Sequence, residues 1–342
     1  MPSAATDGED YSICLEALTN ASVTTLQCSH KFHVSCVTEL RKFKLKQVCP
    51  LCRAPLPPGS EKLFVEAIQR YMVVHQLVER GEATWSTLPA KAQSDLDEAI
   101  TGLRAAAEQG HADAQCHLGS FYLTDHIVAQ DDNEAARLLL KAADQGQVGA
   151  QNYLGLLFKT GRGVAQSDKE AARWYKKAAD QGLADAQNNL AALILRGIGI
   201  NQSYTTAAQL YEMAAIRGHA EAQHNFGALL HHGHGVAQSY SEAARWYSKG
   251  AEQGNADAQC NLGILLKNGW GVEQSDIKAY RWWKEQLIKG TRMPRTIWGI
   301  CALKAAVGCR AKKKQYRGTE RQLIKGTRRR SIIMVDYFLA VK

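Results

Sequence analysis

The sequence has no apolar run long enough to cross a bilayer, and its opening, MPSAATDGEDYS, carries neither a basic start nor an apolar stretch. A membrane span and a secretory leader are therefore not expected, and the chain reads as cytoplasmic or nuclear. Proline is scarce, seven residues against 28 glycines in 342, which argues against a Pro-rich disordered chain. No phosphate-cradling loop and no nucleophile triad is recognisable, so an independent small-molecule enzyme is not expected. Acidic charge is nearly missing from one segment: residues 291–342 hold 14 Lys/Arg against Glu320 and Asp336, a balance of +12. The remaining residues carry 28 basic and 31 acidic groups, or −3, so the overall +9 belongs to the tail and says nothing about partners of the body.

Cysteine is present but lopsided. Five of nine (Cys14, Cys28, Cys36, Cys49, Cys52) fall within 39 residues, interleaved with His30 and His33. Without a leader, such a cluster reads as metal ligation in a reducing compartment rather than as disulfides. Zinc takes four soft or borderline donors in a tetrahedron, and Cys-x-x-Cys turns present two thiolates to one ion. Seven candidate ligands exceed four, so two ions with alternate pairs sharing a site are the simplest partition.

The string Cys14, Cys28-x-His30-x-x-His33-x-x-Cys36, Cys49-Pro50-Leu51-Cys52 resembles a RING finger of the two-histidine type over residues 11 to about 54. The resemblance implies two cross-braced zinc sites: Cys28, His30, Cys49 and Cys52 in one, and Cys14, His33 and Cys36 with the place of Tyr11 in the other. A phenol titrates at pH ~10 and is a poor zinc donor at neutral pH, which leaves Asp10 or a water to close the first tetrahedron. A structural zinc contributes on the order of 10 kcal/mol to a small module, so one intact site can hold the fold with the other weakened. The family docks a ubiquitin-conjugating enzyme and holds the ubiquitin thioester in a reactive posture, which is catalysis by positioning. No residue of the chain is then catalytic in itself. The implied docking residues are Ile13, Leu40 and Pro50, with Arg53 at the place of the cation that contacts both enzyme and ubiquitin. Relatives often carry Trp where Leu40 stands. The plain alternative is that Ile13 and Leu40 are ordinary aliphatics and Arg53 a solvated charge.

After Pro57-Pro58-Gly59, Ser60 is the expected N-cap of a helix of about 20 residues on which Leu63, Ala67, Tyr71, Val74 and Val78 recur, ending near Gly81. It is expected to pack on the repeats downstream of it, with dimerisation through it as the alternative.

Those repeats have a period of 36 residues. Gln115, Gln151, Gln187, Gln223 and Gln259 recur in Ala-Gln pairs, and Gly110, Gly146, Gly182, Gly218, Gly254 and Gly290 close each step. A fixed period of this size marks a solenoid. Each unit reads as two helices: Ala150, Leu154 and Leu157 share a face of the first, Gly161-x-Gly163 turns the chain, and Ser167-x-x-Glu170 forms a capping box for the second. That second helix is expected to bury Ala171, Tyr175 and Ala178 or Ala179. Gly155, with Gly119, Gly227 and Gly263 in its register, leaves room for a close helix approach. The segment 94–110 looks like the lone second helix of a preceding unit, and Asp125 and Ile127 replace the turn glycines in the first full unit. The unit resembles the Sel-one-like repeat, a relative of the tetratricopeptide class, over 111–290; the resemblance implies a scaffold whose concave face holds protein partners.

Trp174, Trp246 and Trp282 share a register with Leu138 and Leu210 and are expected in the inter-helix core. His231, His232 and His234 fall in a polar turn of variable composition rather than a metal site. In the tail, QLIKGTR at 286–292 returns at 322–328, as in a decayed sixth unit or an amphipathic cap. Lys312-Lys313-Lys314 and Arg328-Arg329-Arg330 could serve as a nuclear address or meet phosphates; a solvated end is the plain alternative.

The expected architecture is thus a small zinc-bound α+β RING finger over 10–56, a helical connector over 57–93, an all-α solenoid of 36-residue helix pairs over 94–290, and a basic tail over 291–342. The expected function is a RING-type ubiquitin ligase, with zinc as cofactor, a charged conjugating enzyme on the finger and a protein substrate on the repeats. Its rival is a non-enzymatic zinc-binding adaptor. Nucleic acid enters only through the tail, where no aromatics alternate with the basic clusters.

Overall fold

The computed structural model describes residues 58–289, the strand segments Val23–Thr25 and Lys31–His33, and Val37. Strands β1 (Val23–Thr25) and β2 (Lys31–His33) pair antiparallel, with Val23 opposite His33 and Thr25 opposite Lys31. The rest is helical: α1 (Ser60–Glu79), α2 (Ala90–Glu108), α3 (Ala112–Tyr122), α4 (Asp132–Asp144), α5 (Val148–Thr160) and α6 (Asp168–Asp180). They are followed by α7 (Ala184–Arg196), α8 (Tyr204–Ile216), α9 (Ala220–His232), α10 (Tyr240–Glu252), α11 (Ala256–Asn268) and α12 (Asp276–Lys289). This is a helical solenoid. Among the described residues, no helix is long and apolar enough to cross a membrane.

The chain divides into two compact units. The first runs through Ala222 and includes His234–Val236; in it each helix from α1 to α7 packs against the one that follows. Its core follows the 36-residue pattern: Ala150, Leu154, Leu157, Ala171 and Ala178 are fully buried, and Tyr175 nearly so. The second holds Gln223–Gly233 and the chain from Ala237, with α10 against α11 and α11 against α12.

Small residues set how closely helices approach. A Cβ on Gly155 would stand 2.5 Å from the Tyr175 ring, and one on Gly227 would stand 2.9 Å from the Tyr247 ring. The space a side chain would fill is taken by the aromatic ring of the paired helix. In the third unit Ala191 stands at this position.

The helix ends are chemically explicit. Ser167 Oγ accepts from the Glu170 N–H at 3.3 Å, and Ser203 and Ser239 repeat this cap. The expected capping box is half made. The Ser167 N–H donates to Phe158 O at 2.9 Å, and Glu170 turns instead to Arg173 at 3.4 Å. Gly110, Gly146, Gly182, Gly218 and Gly254 follow their helices with φ of 86 to 92°. In the first full unit, where Asp125 and Ile127 stand for glycines, α3 stops at Tyr122 with Leu123 right-handed at its end, whereas α5 ends on left-handed Gly161.

Helix α1 starts one residue differently from expectation. Gly59 occupies the cap without a side-chain bond, and Ser60 is the first helical residue. Its stripe packs on the repeats: Ala67 and Leu103 share a core with Leu118 and Phe121, and Leu63 and Tyr71 pack against it. Helix α2 begins at Ala90, ahead of residue 94, and has α1 as a packing partner rather than standing alone.

Candidate functional site

Two sets of residues carry recognisable chemistry: the Cys/His string and the surfaces of the helical array. Of the string, only His33 lies among the described residues, as the last residue of β2 opposite Val23. Asp10, Tyr11, Ile13, Cys14, Cys28, His30, Cys36, Leu40, Cys49, Pro50, Cys52 and Arg53 lie outside them, as does the tail from residue 290. The donor set fits zinc. Thiolates and imidazoles are the sulfur and nitrogen ligands the ion prefers, and the string offers five of the first and two of the second. Strands β1 and β2 pair on either side of residues 26–30, which include Cys28 and His30.

Along the array, the recurring glutamine is a fastener. Gln115, Gln151, Gln187 and Gln259 are buried and donate from Nε2 to Ala107 O, Ala143 O, Ala179 O and Ala251 O of the preceding helix. The side chain at the end of the following helix donates back: Gln145 to Gln115 at 2.9 Å, Gln181 to Gln151 at 2.8 Å, and Gln253 to Gln223 at 2.7 Å. The sequence marked these glutamines as the period but not as a bond ladder; the signal was an amide held at an otherwise apolar register.

The tryptophan register divides. Trp174 is buried among Leu139, Ala142 and Leu154, while Trp246 and Trp282 are half-buried. Lys177 lies over the Trp174 ring at 3.8 Å, and Lys249 over Trp246 at 4.2 Å. In the second unit, α10, α11 and α12 border an open cleft of about 850 Å³, lined by the buried Leu262, the half-buried Trp282 and the exposed Arg245, Lys278 and Arg281.

His231 stands edge-on to Tyr240 and Trp270, with ring centroids at 5.2 and 5.9 Å; burial, then the neighbouring His232, lowers its pKa. Tyr204 faces His234 at 5.3 Å. No group of three or more His, Cys, Asp or Glu among the described residues is arranged to hold a metal. Cys116 and Cys260 are buried free thiols, pushed up by burial to about 12 and about 11 respectively. Both are inert packing groups rather than nucleophiles.

The family profile of the Ring finger domain matches residues 12–53. That of the Sel1 repeat matches 112–147, 148–183, 184–219, 220–255 and 256–285. Among solved structures, the chain is similar to a protective antigen present in uropathogenic Escherichia coli strains displaying an SLR fold. That likeness has 35% identity and a TM-score of 0.53, covering 56% of this chain and 41% of the antigen. A Sel1 repeat protein from Oxalobacter formigenes is similar at 35% identity and a TM-score of 0.53, over 57% of each chain. The chain therefore covers less than two thirds of the length of either protein. No curated protein matches it.

Proposed function

The chain belongs to the Sel1-repeat family and carries a RING finger ahead of its repeats; from that premise we propose that it is a RING-type ubiquitin ligase. The finger recruits a ubiquitin-conjugating enzyme, and the repeats hold a protein substrate. The observation that supports this most is the complete donor set Cys28, His30, Cys49 and Cys52 with Arg53 directly after it. Zinc, when bound, supplies the cross-link that makes so short a segment rigid. Ile13, Leu40 and Pro50 then form the contact for the conjugating enzyme. Arg53, by donating to both enzyme and ubiquitin, holds the thioester where an incoming lysine amine can reach its carbonyl. The bond changes occur on the conjugating enzyme, with thiolate as leaving group, so Arg53 is a positioning residue.

Tyr11 favours a second reading. With a phenol in place of the first thiolate, the chain can be a zinc-binding adaptor that no longer promotes transfer. Autoubiquitination of the purified chain with a panel of conjugating enzymes, and Cys49→Ala as control, separates the two. Transfer lost in Cys49→Ala supports the ligase. Its absence throughout the panel, with transfer appearing in Tyr11→Cys, supports the adaptor.

A further inference from the structure

We propose that the cleft of the second unit binds an acidic segment of a partner protein, its carboxylates on the exposed cations of the lining and an apolar side chain on Leu262, Leu266 and Trp282. The inference deepens the reading of the repeats as the substrate-holding half, and rests on it only for the partner's role.

The argument starts from a reversal of charge at one register. The third residue of each second helix is Glu134, Glu170, Thr206, Glu242 and then Lys278, and three residues on stand Arg137, Arg173, Gln209, Arg245 and Arg281. Where the first is Glu, it pairs with the Arg of its own turn: Glu134 with Arg137, Glu170 with Arg173 at 3.4 Å, Glu242 with Arg245 at 2.8 Å. Where the acid is replaced by Thr206, the base is replaced by Gln209 as well. Only the last unit keeps the base and changes the acid to a second base. Lys278 and Arg281 have no ion-pair partner among the described residues, and both line the cleft with Arg245. The nearest following acid in the sequence, Glu285, takes the register of Lys177 and Lys249, the two cations that cover a tryptophan ring in other units.

Helix physics disfavours this change. The Lys278 N–H is capped by Ser275 Oγ at 3.3 Å, so its ammonium sits in the first turn, where the helix dipole favours an acid. A residue that opposes its own helix, beside a cation with no ion-pair partner among the described residues, is placed for an external anion. The apolar part of the lining selects a peptide: Leu262, Leu266 and the half-buried Trp282 offer an aliphatic surface with a single ring, without the series of stacking faces that single-stranded nucleic acid needs. The chain's own segment from residue 291, at +12, has the wrong sign to fill the cleft.

The test uses the full chain and two fluorescein-labelled dodecapeptides, one of Asp and Glu around a central Leu-Phe, the other with Lys in place of every acid. Binding is read by fluorescence anisotropy in the absence of any ubiquitin component, so its outcome is separate from that of the ligase reading. The acidic peptide should bind, weaken with salt, and lose at least about tenfold in affinity in both Lys278→Glu and Arg281→Glu. The Lys peptide should not bind. Lys278→Glu should also melt no lower than the native chain, because it adds an acid to the first turn beside Asp276 and gives Arg281 a partner; this separates lost recognition from lost folding. Unchanged affinity in both variants overturns the proposal. So does affinity that disappears only when Lys312–Lys314 and Arg328–Arg330 are made alanine. Tighter binding of an oligonucleotide of equal length, dependent on the same two cleft residues, also overturns it.

Discussion

Two glycines of one loop offer an internal control on how neighbouring repeats touch. Gly161 and Gly163 have nearly the same left-handed backbone, φ 69° and 65°. A Cβ on Gly161 would meet Gln166 alone, its Cβ at 3.2 Å and its backbone N and Cα at 3.7 and 3.8 Å, so a shift of a few tenths of an ångström relieves it. On Gly163 it would fall on the Asp132 carbonyl at the start of α4, closer than any real Cβ approaches. That neighbour is backbone and cannot rotate away. Alanine at Gly161 should therefore cost only the left-handed penalty, about 1–2 kcal/mol. Alanine at Gly163 carries the same penalty plus an overpacking cost of roughly 1–3 kcal/mol, for a total of about 2–5 kcal/mol. Ile127 shows when the rule lapses: it occupies the Gly163 register in the first full unit, where the preceding helix, α2, has already begun at Ala90 and the loop folds differently. Urea unfolding followed by far-ultraviolet circular dichroism reads both variants, with hydrogen exchange at the start of α4 as a local probe. Equal costs within about 0.5 kcal/mol would refute the idea that backbone contact between repeats fixes the second glycine.

Gln187 tests the amide ladder. Its Nε2 donates to Ala179 O at 3.2 Å, a carbonyl that also accepts from the Gly182 N–H at 2.9 Å. Gln187→Leu thus removes bonds without orphaning the carbonyl and should cost about 1–2 kcal/mol, while Gln187→Ala adds a cavity and should cost about 3 kcal/mol; an equal loss in urea midpoint would contradict this. At alkaline pH, burial raises Cys116, Tyr175 and Tyr211 to about 12, so the folded chain holds protons the unfolded chain releases above pH ~9–10. Stability should hold up to pH ~8 and fall above it, the fall being shallower in Cys116→Ala. Arg162 clasps Asp132 through Nε at 3.0 Å and donates to Leu123 O at 3.0 Å, and its hydrogen bonds hold the Asp132 carboxyl below its usual range. That contribution is present above pH ~4 and lost as pH falls through the lowered value. In so exposed a pair Asp132→Asn should cost about 0.5–1 kcal/mol at neutral pH, and chemical denaturation at pH ~2 should show the deficit gone.

Much of this architecture is legible in the residues because a solenoid repeats its signals. Gly182 had to be left-handed, Gly155 had to admit a close helix, and Ser167 had to cap, each because one physical need recurs every 36 residues. What stayed hidden depended on partners far along the chain. Ser60 looks like a cap, but Gly59 takes the place, and the first turn is tied instead to His111, by the Glu61 carboxylate at 2.8 Å and the Phe64 ring at 4.5 Å. The Glu170 side chain prefers a guanidinium one turn away to the free end of its own helix. Trp246 and Trp282 share the register of Trp174 but not its burial, because core pattern alone does not say how much of a large ring its neighbours cover. The meaning of Lys278 emerges only when the five units are laid in register and the missing acid is weighed against the dipole of its helix. In the Cys/His string, spacing points to the family while the Tyr11 position leaves the chemistry to be measured.

The most direct measurement is discharge of a preformed ubiquitin thioester from a conjugating enzyme onto free lysine, followed with and without the full chain. Faster discharge with the native chain, abolished by Cys49→Ala and reduced by Arg53→Ala while zinc content is retained, is the expected result. Discharge no faster than the Cys49→Ala background across conjugating enzymes, from a chain that holds its zinc, would contradict the assignment as a ligase.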